Sequence, residues 1–170
     1  MTTKKIDLYL EASALWNMFY GESGSNVVEY CIEQPAITCS SSIWSHLEMH
    51  RAVRKRINQK EITQEEGENL RLFIDTHLDE LVARKQLLEF EVTKDHIREA
   101  RQLIDSYNLY ASDALHLATT LSARCSGILV DDYHFTRLRE IVGKEMDLAI
   151  IHTSMTTKQL QEIVANLSDQ

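Results

Sequence analysis

Short runs of strand-forming residues alternate with longer helical stretches along this chain, and that rhythm constrains the fold more than any other feature. Ile6 to Leu10 (IDLYL) reads as a strand. Helical patterns follow at about 13–20 and 25–33, and Pro35 breaks the chain before a second strand, AITCS (36–40). SSIWSHLEMHRAVRKRI (41–57) reads as a helix with a serine cap, its Ile43, Leu47, Val53 and Ile57 near helical spacing. Thr63 with Glu66 makes a capping box that opens a helix to about residue 84. LLEFEV (87–92) alternates as a strand, Thr93 caps a helix to about 106, and YASDALHLATTLSA opens the next. GILVDD (127–132) is a buried strand, DLAIIH (147–152) a fifth, and Thr156 with Gln159 caps a final helix. Alternation of this kind predicts an α/β fold in three α/β/α layers, its central, mainly parallel sheet of about five strands covered on both faces. In such sheets, chemistry gathers beyond the carboxyl ends of the strands.

At 170 residues the chain is read as a single domain, 1–170, with no linker, repeat or low-complexity segment. Only 5 Gly and 1 Pro agree with many helices and short connections. The net charge of −8 repels nucleic acid at long range, so binding it requires a local basic patch or a bound metal. Cys31, Cys39 and Cys125 form no CxxC pair and read as buried, reduced thiols. Asp7 and Glu11 interrupt any signal-peptide core after the start MTTKKIDLYL, and no stretch is long enough to span a bilayer. A cytoplasmic protein with no membrane partner is expected.

The strand ends carry acids. Glu11 follows IDLYL, and Asp131 and Asp132 close GILV. Glu48 lies in the helix begun by SSIW, and Asp113 in the first turn of DALHLATTL. Singly, each has a plain explanation as a helix cap, a dipole complement or a solvated side chain. Were they to converge, they would pose an electrostatic problem. Two like charges about 4 Å apart repel by roughly 4 kcal/mol at the effective dielectric of a protein surface. Four converging carboxylates cannot all stay ionised without a divalent cation or raised pKa values. Oxygen ligands without cysteine suit Mg²⁺ or Mn²⁺.

The order YLEASAL, SSIWSHLEMHRAV, ASDALHLATT, ILVDDYHF resembles a PIN domain over about residues 6–141, DALHLA being its most specific piece and LVDDYHF the next. Within that family the chain is most similar to a VapC-like toxin ribonuclease. The resemblance implies RNA hydrolysis assisted by Mg²⁺ or Mn²⁺, with Glu11, Glu48, Asp113 and Asp132 at the catalytic and metal-binding positions. Asp131 is a possible supplementary metal ligand, and Ser13 matches the hydroxyl residue that follows the first acid. It further implies an antitoxin that covers the acidic pocket with a basic side chain, and a homodimer. The chain departs from the family at Glu11, where Asp is usual, and at Val130, where Thr or Ser is frequent. These departures motivate the alternative of a catalytically impaired module that binds RNA or protein. Residues 142–170 add a strand and a helix beyond the resemblance.

Other signals carry less. His46 and His50 of HLEMH share a helix face, but Glu48 sits about 200° around from His46, not beside it as in the zinc-protease motif, so the pair reads as surface histidines. RAVRKRINQK (51–60) is the one concentrated basic stretch. It reads as a solvated helix face or as a grip on substrate phosphates, with Arg51, Arg54 and Lys55 the nearest to Glu48. Trp44 and Tyr133 could stack on bases. His116 reads as a packing or hydrogen-bonding residue, not a base. GESGS (21–25) follows a helical pattern and is a turn, not a phosphate cradle.

Overall fold

The computed structural model describes residues 5–21 and 23–168. The first four residues of MTTKKIDLYL and Glu22 of GESGS lie outside that range.

Five strands carry the fold: β1 (Ile6–Leu10), β2 (Ile37–Ser42), β3 (Leu87–Phe90), β4 (Gly127–Val130) and β5 (Ala149–His152). Helices α1 (Ala12–Tyr20) and α2 (Ser25–Glu33) join β1 to β2, and α3 (Trp44–Asn58) and α4 (Gln64–Ala83) join β2 to β3. Helices α5 (Lys94–Tyr107) and α6 (Ala111–Ser122) lead to β4, then α7 (Tyr133–Thr136) and α8 (Arg139–Met146) to β5, and α9 (Thr157–Ser168) follows. The sheet runs β3-β2-β1-β4-β5 with every pairing parallel. Strand order therefore reverses at β1, and the crevice between the carboxyl ends of β1 and β4 is the switch point where open α/β sheets bind ligands.

Residues of β1 alternate between two cores. Leu8 and Leu10 face an apolar layer with Leu15, Val28, Val53, Ile74, Leu78 and Leu160. Tyr9 points the other way, among Leu103, Leu117, Ala118, Ile128, Val130 and Phe135. A fully buried side chain of this size stabilises the fold by about 1.5–3 kcal/mol, so the two layers anchor the sheet from both sides. On the first side α4 approaches α3 closely at Gly67, where an added Cβ would stand 2.4 Å from Ile57 Cδ1. The three cysteines are free and buried, as the sequence indicates, and burial raises the thiol pKa of Cys31 to about 12. Among the described residues no helix is long and apolar enough to cross a membrane.

Helix starts follow the sequence closely. Thr63 and Glu66 exchange side-chain-to-backbone bonds, and Thr93 does the same with His96. The second strand departs from expectation. It extends through Ser42 and not merely to Ser40, and α3 begins at Trp44 with no side-chain cap. Hydroxyl groups expected at a helix start serve the sheet: Ser41 donates to the Leu10 carbonyl at 2.8 Å and bonds Ser45 at 2.8 Å. The third strand ends at Phe90, whose carbonyl accepts from Ile43 N–H, and β4 stops at Val130, leaving Asp131 and Asp132 beyond it. Asp132 caps α7, a short helix that sequence periodicity does not reveal.

Candidate metal centre

Glu11 is the N-cap of α1 and only 5% exposed. One of its oxygens, Oε2, accepts from Ser13 N–H at 2.8 Å and from the Ser13 hydroxyl. The Ser13 oxygen in turn accepts from Asp131 N–H at 2.9 Å, so a single serine ties the end of β1 to the end of β4. Its hydroxyl is occupied in orienting Glu11. The second carboxylate oxygen of Glu11, Oε1, is left facing His116, 3.6 Å from Nε2.

His116 is fully buried on α6 and belongs to the centre of this arrangement. Its Nε2 is 2.5 Å from Glu48 Oε2, and its Nδ1 is 2.8 Å from the Tyr9 hydroxyl. The sequence predicts a packing or hydrogen-bonding residue here, and the buried ring bonds both Tyr9 and the site's own Glu48. Glu11, Glu48 and His116 each offer one ligand atom, all within 4.8 Å of one another, and could hold a metal ion. One helical turn before His116, on the same face of α6, stands Asp113. Its Oδ2 is buried and has no hydrogen-bond partner among the described residues.

The titration of these groups reflects crowding. Burial raises the pKa of Glu11, against the pull of His116 and Ser13. Burial likewise raises Asp113, and the charges of Asp132 and Glu48 raise it further. For His116, burial works downward, but the hydrogen bond to Glu48 and the charges of Glu11, Glu48 and Asp113 carry it above its ordinary value. Carboxylates from the ends of β1 and β4, from α3 and from α6 thus act on one another. An orphaned, buried carboxylate oxygen inside a crowded acidic set fits a divalent cation bound by hard oxygen ligands.

Asp131 lies slightly apart: its carboxylate accepts from the Thr153 hydroxyl after β5. Asp132 accepts from His134 N–H at 2.8 Å as the cap of α7. In the basic stretch, Arg51 and Lys55 follow Glu48 by three and seven residues and share its stripe of α3. Arg54 points elsewhere and donates to Gln64 at 3.1 Å. Arg56 lies 4.1 Å over the Tyr20 ring and pairs with Glu61. His46 and His50 meet Glu89 and Asp75 at 2.6 and 3.1 Å, away from the acidic pocket. Tyr9, Ser42 and Thr153 support the site without having been singled out in the sequence. The alternation of IDLYL hid the phenol among apolar neighbours, although Asp113 and His116 at i and i+3 were visible as one helix face.

A parallel α/β/α sheet with acids gathered at its switch point defines a class, and comparison with known families places the chain in it. The PIN domain model matches residues 8–141, and the chain belongs to that family. Among solved structures it is similar to VapBC2 from Rickettsia felis bound to a promoter DNA fragment, with TM-score 0.54 and 13% identity over 86% of this chain and 98% of that one. A toxin–antitoxin complex from Klebsiella pneumoniae gives TM-score 0.54 and 13% identity over 86% and 97%. PAE2754 from Pyrobaculum aerophilum gives TM-score 0.54 and 11% identity over 98% and 99%. No curated protein matches.

Proposed function

We propose that the chain is a metal-dependent endoribonuclease, the toxin of a toxin–antitoxin pair. One observation carries the reading: carboxylates from four separate segments crowd the crevice at the carboxyl ends of β1 and β4, with a buried oxygen of Asp113 left unpartnered. Membership of the PIN domain family supports a nuclease, and two neighbouring structures are described as a VapBC complex and a toxin–antitoxin complex.

Glu11, Glu48, Asp113 and Asp132 would hold Mg²⁺ or Mn²⁺, with Asp131 close by. Bound there, the ion supplies orientation of the phosphodiester, offsets charge on its oxygens and acidifies a water for in-line attack. Ser13 fixes the Glu11 carboxylate, a role through Glu11 and not on substrate. Arg51 and Lys55, on the Glu48 stripe of α3, hold RNA phosphates beside the pocket, and Arg54, turned to Gln64 off that stripe, adds a weaker contact. The antitoxin covers the pocket with a basic side chain, and two copies of the chain form a homodimer in the cytoplasm.

Incubation of single-stranded RNA with Mn²⁺ and purified protein tests this reading, comparing the native chain with Asp113→Asn and Glu48→Gln. Cleavage by the native chain and its loss in both variants is the expected result. Cleavage that survives Asp113→Asn removes the site. A folded native protein that binds RNA and cleaves none with either ion favours the impaired binding module.

A further inference from the structure

We infer that the His116 imidazole is itself a ligand of the ion, held in place by Tyr9 and Ser42, and that it turns the site's preference from Mg²⁺ toward Mn²⁺. This rests on the metal-dependent reading above and deepens it.

The polarity of a buried hydrogen-bond chain supports the assignment. The Tyr9 hydroxyl has one proton and donates it to Ser42 Oγ at 2.9 Å. Toward His116 Nδ1, at 2.8 Å, the phenol oxygen must therefore accept, so Nδ1 bears the ring proton. With Nδ1 protonated, Nε2 is the nitrogen whose lone pair can bind a cation once the proton it shares with Glu48 is released. Nε2 is also the atom aimed at the carboxylates, 2.5 Å from Glu48 and 3.6 Å from Glu11. Metal-bound histidines are commonly held in this way, the second ring nitrogen donating to an outer partner that sets orientation. Tyr9 and Ser42 play that part, and the ring is fully buried.

Geometry at Glu11 agrees. Ser13 takes Oε2, and Oε1 is the oxygen that remains toward His116. On coordination the proton that Nε2 and Glu48 share at 2.5 Å would leave to solvent, freeing both atoms as ligands. Carboxylates joined by one imidazole make a softer set than carboxylates alone. Mg²⁺ gains little from nitrogen, whereas transition-series ions accept imidazole readily, so the ratio of affinities moves toward Mn²⁺.

The full-length protein, stripped of metal, is titrated with Mn²⁺, and binding is followed by the loss of the free-ion electron paramagnetic resonance signal. Electron spin echo modulation then reports any ¹⁴N nucleus bound to the ion, and Mg²⁺ competition gives the affinity ratio. The native chain is expected to show ¹⁴N modulation that His116→Asn abolishes, with the Mn²⁺ over Mg²⁺ ratio falling about tenfold or more. Tyr9→Phe is expected to keep the modulation and weaken Mn²⁺ binding by about 10–100-fold, the usual effect of losing an outer partner. Should His116→Asn not fold, absence of ¹⁴N modulation in the native protein, or undiminished Mn²⁺ affinity in Tyr9→Phe, overturns the inference. Mn²⁺ bound by the native chain without nitrogen coupling likewise refutes the histidine ligand while leaving the carboxylate site standing. Failure of the native chain to bind either ion at millimolar concentration removes the metal-dependent reading itself.

Discussion

The two sides of β1 solve different problems with adjacent residues. Leu8 and Leu10 look into a layer built from apolar, mostly aliphatic side chains. Tyr9, between them, looks into a layer that is equally buried yet threaded by a polar chain from Ser42 through the phenol and His116 to Glu48. The first side holds the sheet together by area alone. The second gives up some of that area to deliver a ring nitrogen to the carboxylate crevice. Stability and chemistry are thus segregated by strand pleat within one pentapeptide.

Truncation on the aliphatic side breaks this comparison most strongly. Leu8 is fully buried, and Leu8→Ala should cost about 2–5 kcal/mol, which in a chain of this length lowers Tm by roughly 10 °C. Ion affinity of the remaining folded protein should be unchanged, because no atom of Leu8 reaches the crevice. Calorimetry paired with Mn²⁺ titration checks both halves of that expectation. On the polar side, Tyr9→Phe keeps the ring in place and should cost only about 1–2 kcal/mol, through the hydrogen bonds lost by Ser42 and His116.

Asp113→Asn sharpens the contrast by dissociating stability from activity. Its carboxylate is half-buried, its pKa raised by desolvation and by the charge of Asp132, and its buried Oδ2 lacks a partner among the described residues. Replacing it with a neutral amide relieves that repulsion, so the metal-free protein should gain about 1 kcal/mol while RNA cleavage falls to background. Thermal melts and a cleavage assay on one preparation decide this. A loss of stability would show that the acid is held by favourable contacts and is not waiting for a cation.

The same crowding sets a pH dependence. Glu11 and Asp113 have folded-state pKa values raised above their ordinary 4.5 and 3.8, and His116 is raised above 6.5. In each case the folded protein binds protons more tightly than the unfolded chain. Each contribution is fully present below the ordinary value and is lost as pH climbs through the raised one. Metal-free Tm should therefore decline through the carboxylate range and again above pH 6.5, and saturating Mn²⁺ should flatten the decline by binding only the folded form. Melts at a series of pH values, with and without the ion, measure it.

How far the sequence announced this division depends on the range of the interaction concerned. Strand–helix alternation, the capping pairs Thr63–Glu66 and Thr156–Gln159, and the acids at the ends of β1 and β4 are local signals, and all were legible. Ser41 and Ser42 misled because serine suits a helix cap, and only the neighbouring strand, through the Leu10 carbonyl and Tyr9, reveals the other use. The site of His116 is hidden for a related reason. Its partners lie 68 and 107 residues away, beyond anything spacing can encode. The resemblance to the PIN domain family supplied the long-range pairing of the acids; His116 falls inside DALHLA, its most specific piece, but the motif gives the imidazole no place among the carboxylates.

The gentlest test concerns the outer face of α3, where the crevice meets solvent. Arg51 and Lys55 share the stripe of Glu48, whereas Arg54 is turned to Gln64 and Arg56 is stacked on Tyr20. If the acid crevice takes RNA, the stripe and not the whole basic run should carry its phosphates. Each phosphate contact on a single strand contributes about 0.7 to the slope of log affinity against log salt concentration. Arg51→Ala and Lys55→Ala should each reduce that slope by about this amount and weaken binding uniformly across sequences, with Tm unchanged. Arg54→Ala should alter the slope less, because its guanidinium already has a partner on α4. Arg56→Ala should leave the slope alone and lower Tm slightly, since it removes a cation–π contact and the Glu61 pair. A slope that responds equally to all four substitutions would mean that the basic run acts as a diffuse cloud of charge and that helical phase has no part in guiding RNA toward Glu48.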